Sequence, residues 1–354
     1  MFLAWKEIKH DKLRYGLIIL MIVLISYLIF ILTSLANGLA SQNTQAINSW
    51  NPTHIVLNQD SNTNIAQSRI TQQQLDNVKL DSQKSAIIGT SATVVTANKR
   101  SKLSGQFVGL NPKEYIYQDL QLVSGHKVNG DHQVVADTKF QQNGYKLGDE
   151  VQLNSSTDTY KIVGFTKNAK LNLAPIMYGT NADWHTISNL NETFAGNAII
   201  SKQSQLNGLP KQLHAYATNT VVQKLPGYSA QTLTFSFMIG FLMVISLIII
   251  AVFLYILTMQ KLQNYAVLRA QGIPASFLVK ATLFQSLLLV AIGIVVSLVV
   301  TAGTLAALPA AVPIQFSLPI IGMTVIGLLA TSLLGALIPV LLIMKINPAE
   351  AIGG

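Results

Sequence analysis

The most informative stretch of this sequence is residues 232–280, TLTFSFMIGFLMVISLIIIAVFLYILTMQKLQNYAVLRAQGIPASFLVK. Its first part, residues 232–259, is apolar and uncharged. At about 1.5 Å of helix rise per residue, this run exceeds the roughly 30 Å of hydrocarbon that a membrane-spanning helix has to cross. Residues 260–280 contain Lys261, Arg269 and Lys280 but no acidic residue. Because lysine and arginine concentrate in cytoplasmic loops, we predict a transmembrane helix followed by a cytoplasmic elbow.

The elbow carries the signals of a short helix of its own. Gly272 suits the left-handed position that ends a helix, and Pro274 suits the first turn of the next one. These positions predict a helix over residues 262–271. A short helix beneath the membrane is a natural contact for a soluble partner.

Further uncharged apolar runs complete the membrane part. Residues 281–344 are too long for one span, and Pro309 and Pro313 mark a hairpin between two spans. The spans are predicted at residues 17–36, 232–259, 281–306 and 319–344, with the outer hairpin at 307–318.

Both ends of the chain are predicted to be cytoplasmic. Residues 1–16 hold several basic residues beside apolar ones and are predicted to form an interfacial helix, and the tail, residues 345–354, begins with Lys345. The alternative for the N-terminus is a signal peptide cleaved near residues 38–40. Residues 17–36 are longer than a typical signal-peptide core, which favours a retained first span.

Residues 37–231 have a different composition, rich in Asn, Gln, Ser and Thr, and are predicted to form one extracytoplasmic α+β domain. Alternating residues on both sides of the polar turn at 154–158 predict a β-hairpin over 144–165. Further strands are predicted at 54–57, 93–96, 106–110, 134–136 and 197–200, and helices at 71–78 and 204–217. The predicted fold class is therefore a four-helix membrane protein with a large α+β domain between helices 1 and 2.

Composition excludes several kinds of function. A net charge of +9 could indicate a protein that binds nucleic acid. Much of the basic charge, however, lies in the N-terminal segment and the elbow, where lipid headgroups are the expected partner. The chain has no cysteine, its six histidines lack metal-ligand spacing, and no paired carboxylates indicate catalysis. There is also no phosphate-binding Gly-x-x-x-x-Gly-Lys-Ser/Thr loop, so we predict a non-enzymatic chain without a metal site.

The layout and several local sequences resemble the MacB/FtsX-type permeases of bacterial ABC transporters. The similar segments are the basic N-terminus at 6–14, the hairpin sequences GDEV at 148–151 and IVG at 162–164, the elbow sequence VLRAQG at 267–272, and the tail sequence NPAEAI at 347–352. Within that family, the chain is most similar to haem-exporter permeases of low-GC Gram-positive bacteria, with which it shares a tyrosine at Tyr228.

This resemblance implies a homodimer in the plasma membrane, driven by a separate ABC ATPase subunit that holds ATP and Mg²⁺. The elbow would then contact the ATPase through Leu262, Tyr265, Leu268, Arg269 and Gly272; for Arg269 the alternative partner is lipid phosphate.

A ligand such as haem would lie in a cleft open to the outer leaflet, where the outer parts of spans 1 and 2 of two copies meet. Aromatic residues near a membrane interface are commonly anchors, which is the alternative for these side chains. Tyrosine and methionine also serve as axial ligands of haem iron. The candidate ligand-binding residues are Tyr27, Phe30, Phe235, Phe237, Phe241, Met177, Tyr178 and Tyr228.

Two classes of function remain open at this point. The first is a permease that exports an amphiphile, which is haem, a lipid or an antimicrobial peptide. The second is an FtsX-like protein that transmits ATPase motion to an extracellular partner without moving a substrate. The aromatic cleft favours the first class, whereas a large exposed apolar patch on the α+β domain would favour the second.

Overall fold

The computed structural model describes residues 12–76, 78–97, 100–154, 156–309 and 312–345. The chain divides into two compact units. The membrane unit comprises Met1–Gly38 and Thr232–Gly354, and the α+β domain comprises Leu39–Gln231. Most of the predicted N-terminal helix (1–16) and of the tail (345–354) falls outside the described residues.

The helices are numbered in chain order. They are α1 (Lys12–Trp50), α2 (Gln72–Leu75), α3 (Tyr115–Gln118), α4 (Thr138–Gln142), α5 (Asn181–Ser188), α6 (Thr218–Gln223), α7 (Tyr228–Gln260), α8 (Leu262–Ala270), α9 (Ala275–Ala307), α10 (Leu318–Gly335) and α11 (Leu337–Met344).

The strands are numbered in the same way. They are β1 (His54–Asn58), β2 (Ile70–Thr71), β3 (Ser85–Thr96), β4 (Leu103–Leu110), β5 (Leu122–Gly125), β6 (Gln133–Asp137), β7 (Glu150–Leu153), β8 (Thr159–Thr166), β9 (Lys170–Leu171), β10 (Ala174–Thr180), β11 (Phe194–Gly196), β12 (Ala198–Ser201) and β13 (Leu213–Ala217).

Four helical segments are long and apolar enough to cross a membrane: Lys12–Trp50, Tyr228–Gln260, Ala275–Ala307 and Leu318–Met344. They flank the α+β domain, so the predicted fold class is confirmed. The fourth segment is interrupted at Ala336, between α10 and α11. Pro339 accounts for the interruption, because proline has no N–H to donate to the carbonyl of Gly335 four residues earlier.

The helices of the membrane unit pack around a buried apolar cluster that includes Ile22, Phe30, Leu254, Leu289 and Leu328. Contact between α1 and α9 is close where Gly293 faces Ile22. A Cβ added to Gly293 would lie 2.5 Å from Cγ2 of Ile22. Small residues allow this kind of close approach between helices in lipid.

The loop between α9 and α10 lies against α1 at Gly38. The backbone N–H of Gln315 donates to the carbonyl of Ser34 at 3.1 Å, and the Asn37 amide donates to the carbonyl of Gln315 at 3.2 Å. A Cβ on Gly38 would collide with the backbone carbonyl of Pro313 and lie 2.8 Å from the Gln315 nitrogen. The loop therefore requires glycine at position 38.

Exchange of Gly38 for valine is expected to displace this loop, at a cost of about 1–3 kcal/mol for overpacking. The measurement is the rate at which an impermeant maleimide labels Gln315→Cys, since the natural chain has no cysteine. Labelling should become faster in Gly38→Val. Gly303→Val is the control, because a Cβ at Gly303 meets nothing within 4 Å. Equal rates in Gly38→Val and the parent protein would contradict the prediction.

The α+β domain is built on an 11-stranded mixed sheet with the order β13-β1-β12-β3-β4-β10-β6-β8-β5, to which β7 and β9 also pair. The predicted hairpin is present as β7 and β8, with Val151 opposite Tyr160. Strand β1 lies between β12 and β13, which come from the far end of the domain.

The predicted helix over 204–217 is wrong. Residues 213–217 form β13, in which Leu213 pairs with Asn58 and Ala217 with His54. This strand forms because the edge of β1 offers unpaired backbone groups, a long-range effect that outweighs local helix propensity. The helix predicted over 71–78 is present only as the single turn α2.

One buried core of the domain centres on Trp184 of α5, which is fully buried. Trp184 lies against two glycines on adjacent strands, with its indole facing Gly89 of β3 and its Cβ facing Gly109 of β4. A Cβ at Gly89 would collide with the indole ring, and one at Gly109 would lie 2.8 Å from Cβ of Trp184. The glycines thus leave the space that the indole fills.

Glu114 precedes α3 and accepts a hydrogen bond from the backbone N–H of Ile87 at 2.9 Å. Burial raises the pKa of the Glu114 carboxyl from 4.5 to about 7, and the Ile87 hydrogen bond opposes this by a smaller amount. Its folded-state pKa therefore lies above the unfolded value. The contribution to stability is complete below pH 4.5 and is lost as pH rises through 7.

The free energy of unfolding of the domain is expected to fall between pH 5 and pH 8 by at most about 3 kcal/mol through Glu114. Glu114→Gln should flatten this dependence, because the amide oxygen still accepts from Ile87 but carries no charge. The measurement is urea unfolding of the full chain, followed by tryptophan fluorescence at both pH values. A variant with an unchanged pH slope would contradict the prediction. Burial also raises the pKa of Asp137, which adds a pH dependence of its own. This contribution is the same in the variant and the parent protein, so the comparison between them removes it.

Candidate functional site

The first candidate site is a groove along one face of α7. It has a volume of about 420 Å³ and is lined by Leu233, Ser236, Phe237, Gly240, Phe241 and Val244. These positions recur every three or four residues, which places them on one side of the helix. Phe237 and Phe241 are 60% and 66% exposed. A Cβ at Gly240 would meet nothing within 4 Å, so the helix backbone is open between the two rings.

Two of the predicted cleft residues, Phe237 and Phe241, thus lie together in the groove. The other predicted aromatics of the membrane unit lie elsewhere. Phe30 is fully buried in the apolar cluster of the unit, and Phe235 is half-buried. The Tyr27 hydroxyl forms a hydrogen bond of 3.2 Å with the Thr304 hydroxyl of α9. Phe30 is therefore a packing residue in this conformation rather than a wall of the groove.

Met177 and Tyr178 do not form a ligand site, which corrects the prediction for these two residues. Both lie on β10 and are 0% and 1% exposed. The Trp50 indole N–H donates to the Tyr178 hydroxyl at 3.2 Å, and burial raises the pKa of Tyr178. Because both side chains are almost completely buried, they pack in the cores of the α+β domain. Tyr228 is half-buried and packs against one of the cores of the domain.

The second candidate site is the elbow helix, α8, which the sequence predicted within one residue. It ends as expected: Gly272 has a φ of 89°, its N–H donates to the Arg269 carbonyl, and the N–H of Ile273 donates to the Leu268 carbonyl. The left-handed residue turns the chain directly into α9.

Three of the five residues predicted to contact the ATPase, Leu262, Tyr265 and Leu268, pack against the chain's own helices, whereas Arg269 is half-exposed and Gly272 is exposed. Tyr265 and Ala266 are buried against Leu278 of α9 and Ile343 of α11, and Leu262 and Leu268 pack on the same cluster. The apolar face that the sequence offers to a partner is therefore covered by the chain itself.

The exposed residues of the elbow are Gln263, Asn264, Val267, Ala270 and Gln271, beside the half-exposed Arg269. Val267 is 48% exposed and is the large apolar side chain on this face. Sequence reasoning missed Val267. Val267 lies two residues after Tyr265, which places it on the side of the helix opposite the buried face. This spacing could have been used to predict Val267 from the sequence.

Residues 236–348 match the family described as FtsX-like permease C-terminal. The matched range contains most of α7, the elbow and the helices α9 to α11, but not α1. The chain therefore carries a domain similar to the FtsX-like permeases. The four apolar helices agree with a protein of the membrane.

Two relatives match this chain over its full length. Both are named "Putative hemin transport system permease protein HrtB". The protein of Staphylococcus haemolyticus (strain JCSC1435) is 26% identical over 357 residues, covering 100% of this chain and 99% of the relative. The protein of Staphylococcus epidermidis (strain ATCC 35984) is 25% identical over 363 residues, with the same coverage.

Two solved structures are similar to part of the permease. The extracellular domain of the noncanonic ABC-type transporter YknZ from Gram-positive bacteria has a TM-score of 0.34 and 13% identity, covering 46% of this chain and 98% of that one. The periplasmic region of MacB from Actinobacillus actinomycetemcomitans has a TM-score of 0.35 and 11% identity, covering 48% of this chain and 91% of that one.

Proposed function

We propose that this permease is the membrane subunit of an ATP-driven exporter that removes haem, or a similar flat amphiphile, from the membrane. The observation that carries the proposal is the groove on α7, where two exposed phenylalanine rings flank the open backbone at Gly240. Aromatic faces bind flat apolar molecules by stacking. The names of the full-length relatives support haem as the substrate.

A single copy leaves this groove open along its length, whereas ligand sites usually enclose most of a small ligand. The proposal therefore includes a homodimer in which the grooves of two α7 helices face each other. Ser236 and Gly240 are four residues apart within the groove, and small residues at this spacing allow two helices to approach closely in lipid. The dimer would close the groove around the ligand.

Energy for export would come from a separate ATPase subunit that binds ATP and Mg²⁺. The elbow and both termini lie in the cytoplasm in this proposal, which agrees with the basic residues of the elbow and the absence of acidic residues there. The ATPase would contact the exposed face of the elbow, at Asn264, Val267 and Arg269.

Replacing both groove phenylalanines, Phe237→Ala and Phe241→Ala, is expected to weaken haem binding about tenfold, because each lost stacking contact contributes about 0.5–1.5 kcal/mol. The measurement is the Soret shift on haem titration of the permease and its ATPase in nanodiscs, together with the ATPase rate. Phe277→Ala is the matched control, an equally exposed phenylalanine near the start of α9. Tyr228→Phe tests a further predicted ligand residue.

Equal haem affinity in the double variant and the parent complex would exclude the groove as the haem site. A folded, ATPase-active complex with no Soret shift at all would exclude haem as the substrate. The search would then turn to lipids, antimicrobial peptides or an extracellular partner that the permease regulates.

A further inference from the structure

The α+β domain contains a polar cavity beside the C-terminal end of α1. It has a volume of about 660 Å³, which lies within the roughly 300–1,000 Å³ that is usual for small-molecule sites. Its walls come from the end of α1 at Trp50, from α3 and the loop after it, from the loop between β8 and β9, and from Lys202 after β12. All of these segments belong to the α+β domain.

The aromatic residues of the cavity hold one another in place. The Tyr115 hydroxyl donates to the Trp50 carbonyl at 3.0 Å, and the Trp50 indole N–H donates to the Tyr178 hydroxyl at 3.2 Å. The Thr166 hydroxyl donates to the Gln121 carbonyl at 2.6 Å, which ties the loop after β8 to the loop after α3. Walls that are fixed in advance lower the entropic cost of binding a ligand.

The charged residues of the cavity favour a ligand with one negative charge. Among the described residues that line it, Lys167 and Lys202 are basic and Asp119 is acidic, which gives a net charge of +1. Nζ of Lys202 lies 2.8 Å from Oδ2 of Asp119, and the two side chains are 33% and 58% exposed. An ion pair this exposed stabilises the fold little, so an incoming anion can compete for the ammonium group.

The cavity does not suit a flat aromatic ligand, which separates it from the groove on α7. Trp50 and Tyr115 are each 3% exposed, and the Lys202 ammonium lies 4.3 Å from the centre of the Tyr115 ring. Stacking requires an open ring face, and these two rings offer none. A sugar that packs on an aromatic face is disfavoured for the same reason.

Exposed amide side chains supply further polar groups to the cavity. They include Asn51, Gln121 and Asn168. An amide side chain has a carbonyl oxygen that accepts and an NH₂ group that donates. A peptide group likewise has one acceptor and one donor. The lining therefore matches a peptide backbone as well as a single negative charge.

We propose that this cavity binds a short peptide by its C-terminal carboxylate. Lys202 would hold the carboxylate and Lys167 would add its charge, because hydrogen bonds between an ammonium and a carboxylate are stronger than those between neutral groups. The amides of Asn51, Gln121 and Asn168 would pair with the peptide backbone. This site lies in the α+β domain and takes a different ligand from the groove on α7.

The test is isothermal titration calorimetry of the full chain in detergent with N-acetyl-tetraalanine, whose single charge is its C-terminal carboxylate. Alanine side chains suffice, because the proposed contacts are with the carboxylate and the backbone. The same peptide with a C-terminal amide is the matched control. We expect saturable binding of the acid and about tenfold weaker binding of the amide, the loss expected for a hydrogen bond to a charged group.

Variants of the ion pair locate the site. Lys202→Met keeps a side chain of similar length without the charge and should weaken binding of the acid about tenfold, whereas Lys202→Arg should retain it. Asp119→Asn removes the competing carboxylate and should strengthen binding. Lys146→Met is the control, an exposed lysine outside the cavity. The thermal stability of each variant, measured alongside, should stay near that of the parent because Lys202 and Asp119 are partly exposed.

Equal binding of the acid and the amide would overturn the proposal, as would a folded parent protein that does not bind the acid. Parent-like affinity in Lys202→Met would have the same consequence, because the carboxylate would then lie elsewhere. Binding of maltose in place of the peptide would overturn the proposal in favour of a sugar ligand. The titration needs neither haem nor ATPase, so failure of the export proposal would appear in the haem titration and leave this result intact.

Discussion

Exchange of Val267 for glutamate is expected to abolish productive contact with the ATPase subunit proposed above. Val267 is the large apolar side chain on the exposed face of the elbow, so it can accept a charge without disturbing the fold of the permease. Within an interface the same carboxylate would be buried without a partner. A penalty of about 3 kcal/mol corresponds to roughly 100-fold weaker binding.

Two measurements check this prediction: the affinity of purified ATPase for the permease in nanodiscs, and the ATPase rate of the mixture. For Val267→Glu the rate should equal that of the ATPase alone. Val267→Thr, with a similar shape and no charge, is the matched control and should bind. Parent-like affinity in Val267→Glu would remove the exposed face of the elbow as the contact surface.

Leu268→Glu separates the two faces of the same helix. Leu268 packs against the cluster formed by Tyr265, Ala266, Leu278 and Ile343, so a carboxylate there should lower the thermal stability of the permease itself. Val267→Glu should leave that stability unchanged. The pair of variants thus distinguishes loss of a partner contact from loss of internal packing.

Truncation of Trp184 to alanine is expected to destabilise the α+β domain by about 3–5 kcal/mol, the usual cost of removing a large buried aromatic side chain. The site is unable to collapse, because the indole lies against Gly89, whose strand β3 is held in register by its pairing with β4. An empty slot would remain between α5 and the sheet. Loss of this much free energy is a large part of the stability of a typical domain.

The measurement is urea unfolding of the full chain in detergent, followed by the fluorescence of Trp50, which is also buried in the domain. Val123→Ala is the control; Val123 is 53% exposed and its truncation should change the free energy of unfolding little. A loss below about 1 kcal/mol in Trp184→Ala would show that the core repacks around the cavity.

Hydropathy and local signals were sufficient for the membrane helices, the elbow helix and the β7–β8 hairpin, because each depends on residues close together in sequence. Strand β13 was missed for the opposite reason. Its residues, Leu213–Ala217, become a strand only beside β1, and that partner lies at the other end of the domain. The break at Ala336 was not predicted either, although Pro339 was visible in the sequence.

The candidate site was predictable only in part. An apolar face on the elbow was evident, but the sequence could not say whether that face meets a partner or the chain's own α9 and α11. Tyr178 appeared suitable as an iron ligand by residue type, yet its burial depends on the sheet around it. Phe237 and Phe241 were predicted as part of an aromatic set, and only the three-dimensional fold separates them from the buried Phe30.

The position of β1 between β12 and β13 also sets an order for biogenesis. The chain emerges from the N-terminus, so His54–Asn58 is available long before its partners at Ala198–Ser201 and Leu213–Ala217. The sheet can close only after nearly the whole domain has been synthesised, and such long-range pairing is slow. Until then, both edges of β1 are open to proteases and to wrong pairing. The newly made domain therefore depends on rapid delivery of its last strand, and truncation shortly before residue 213 should leave it unfolded rather than merely shortened.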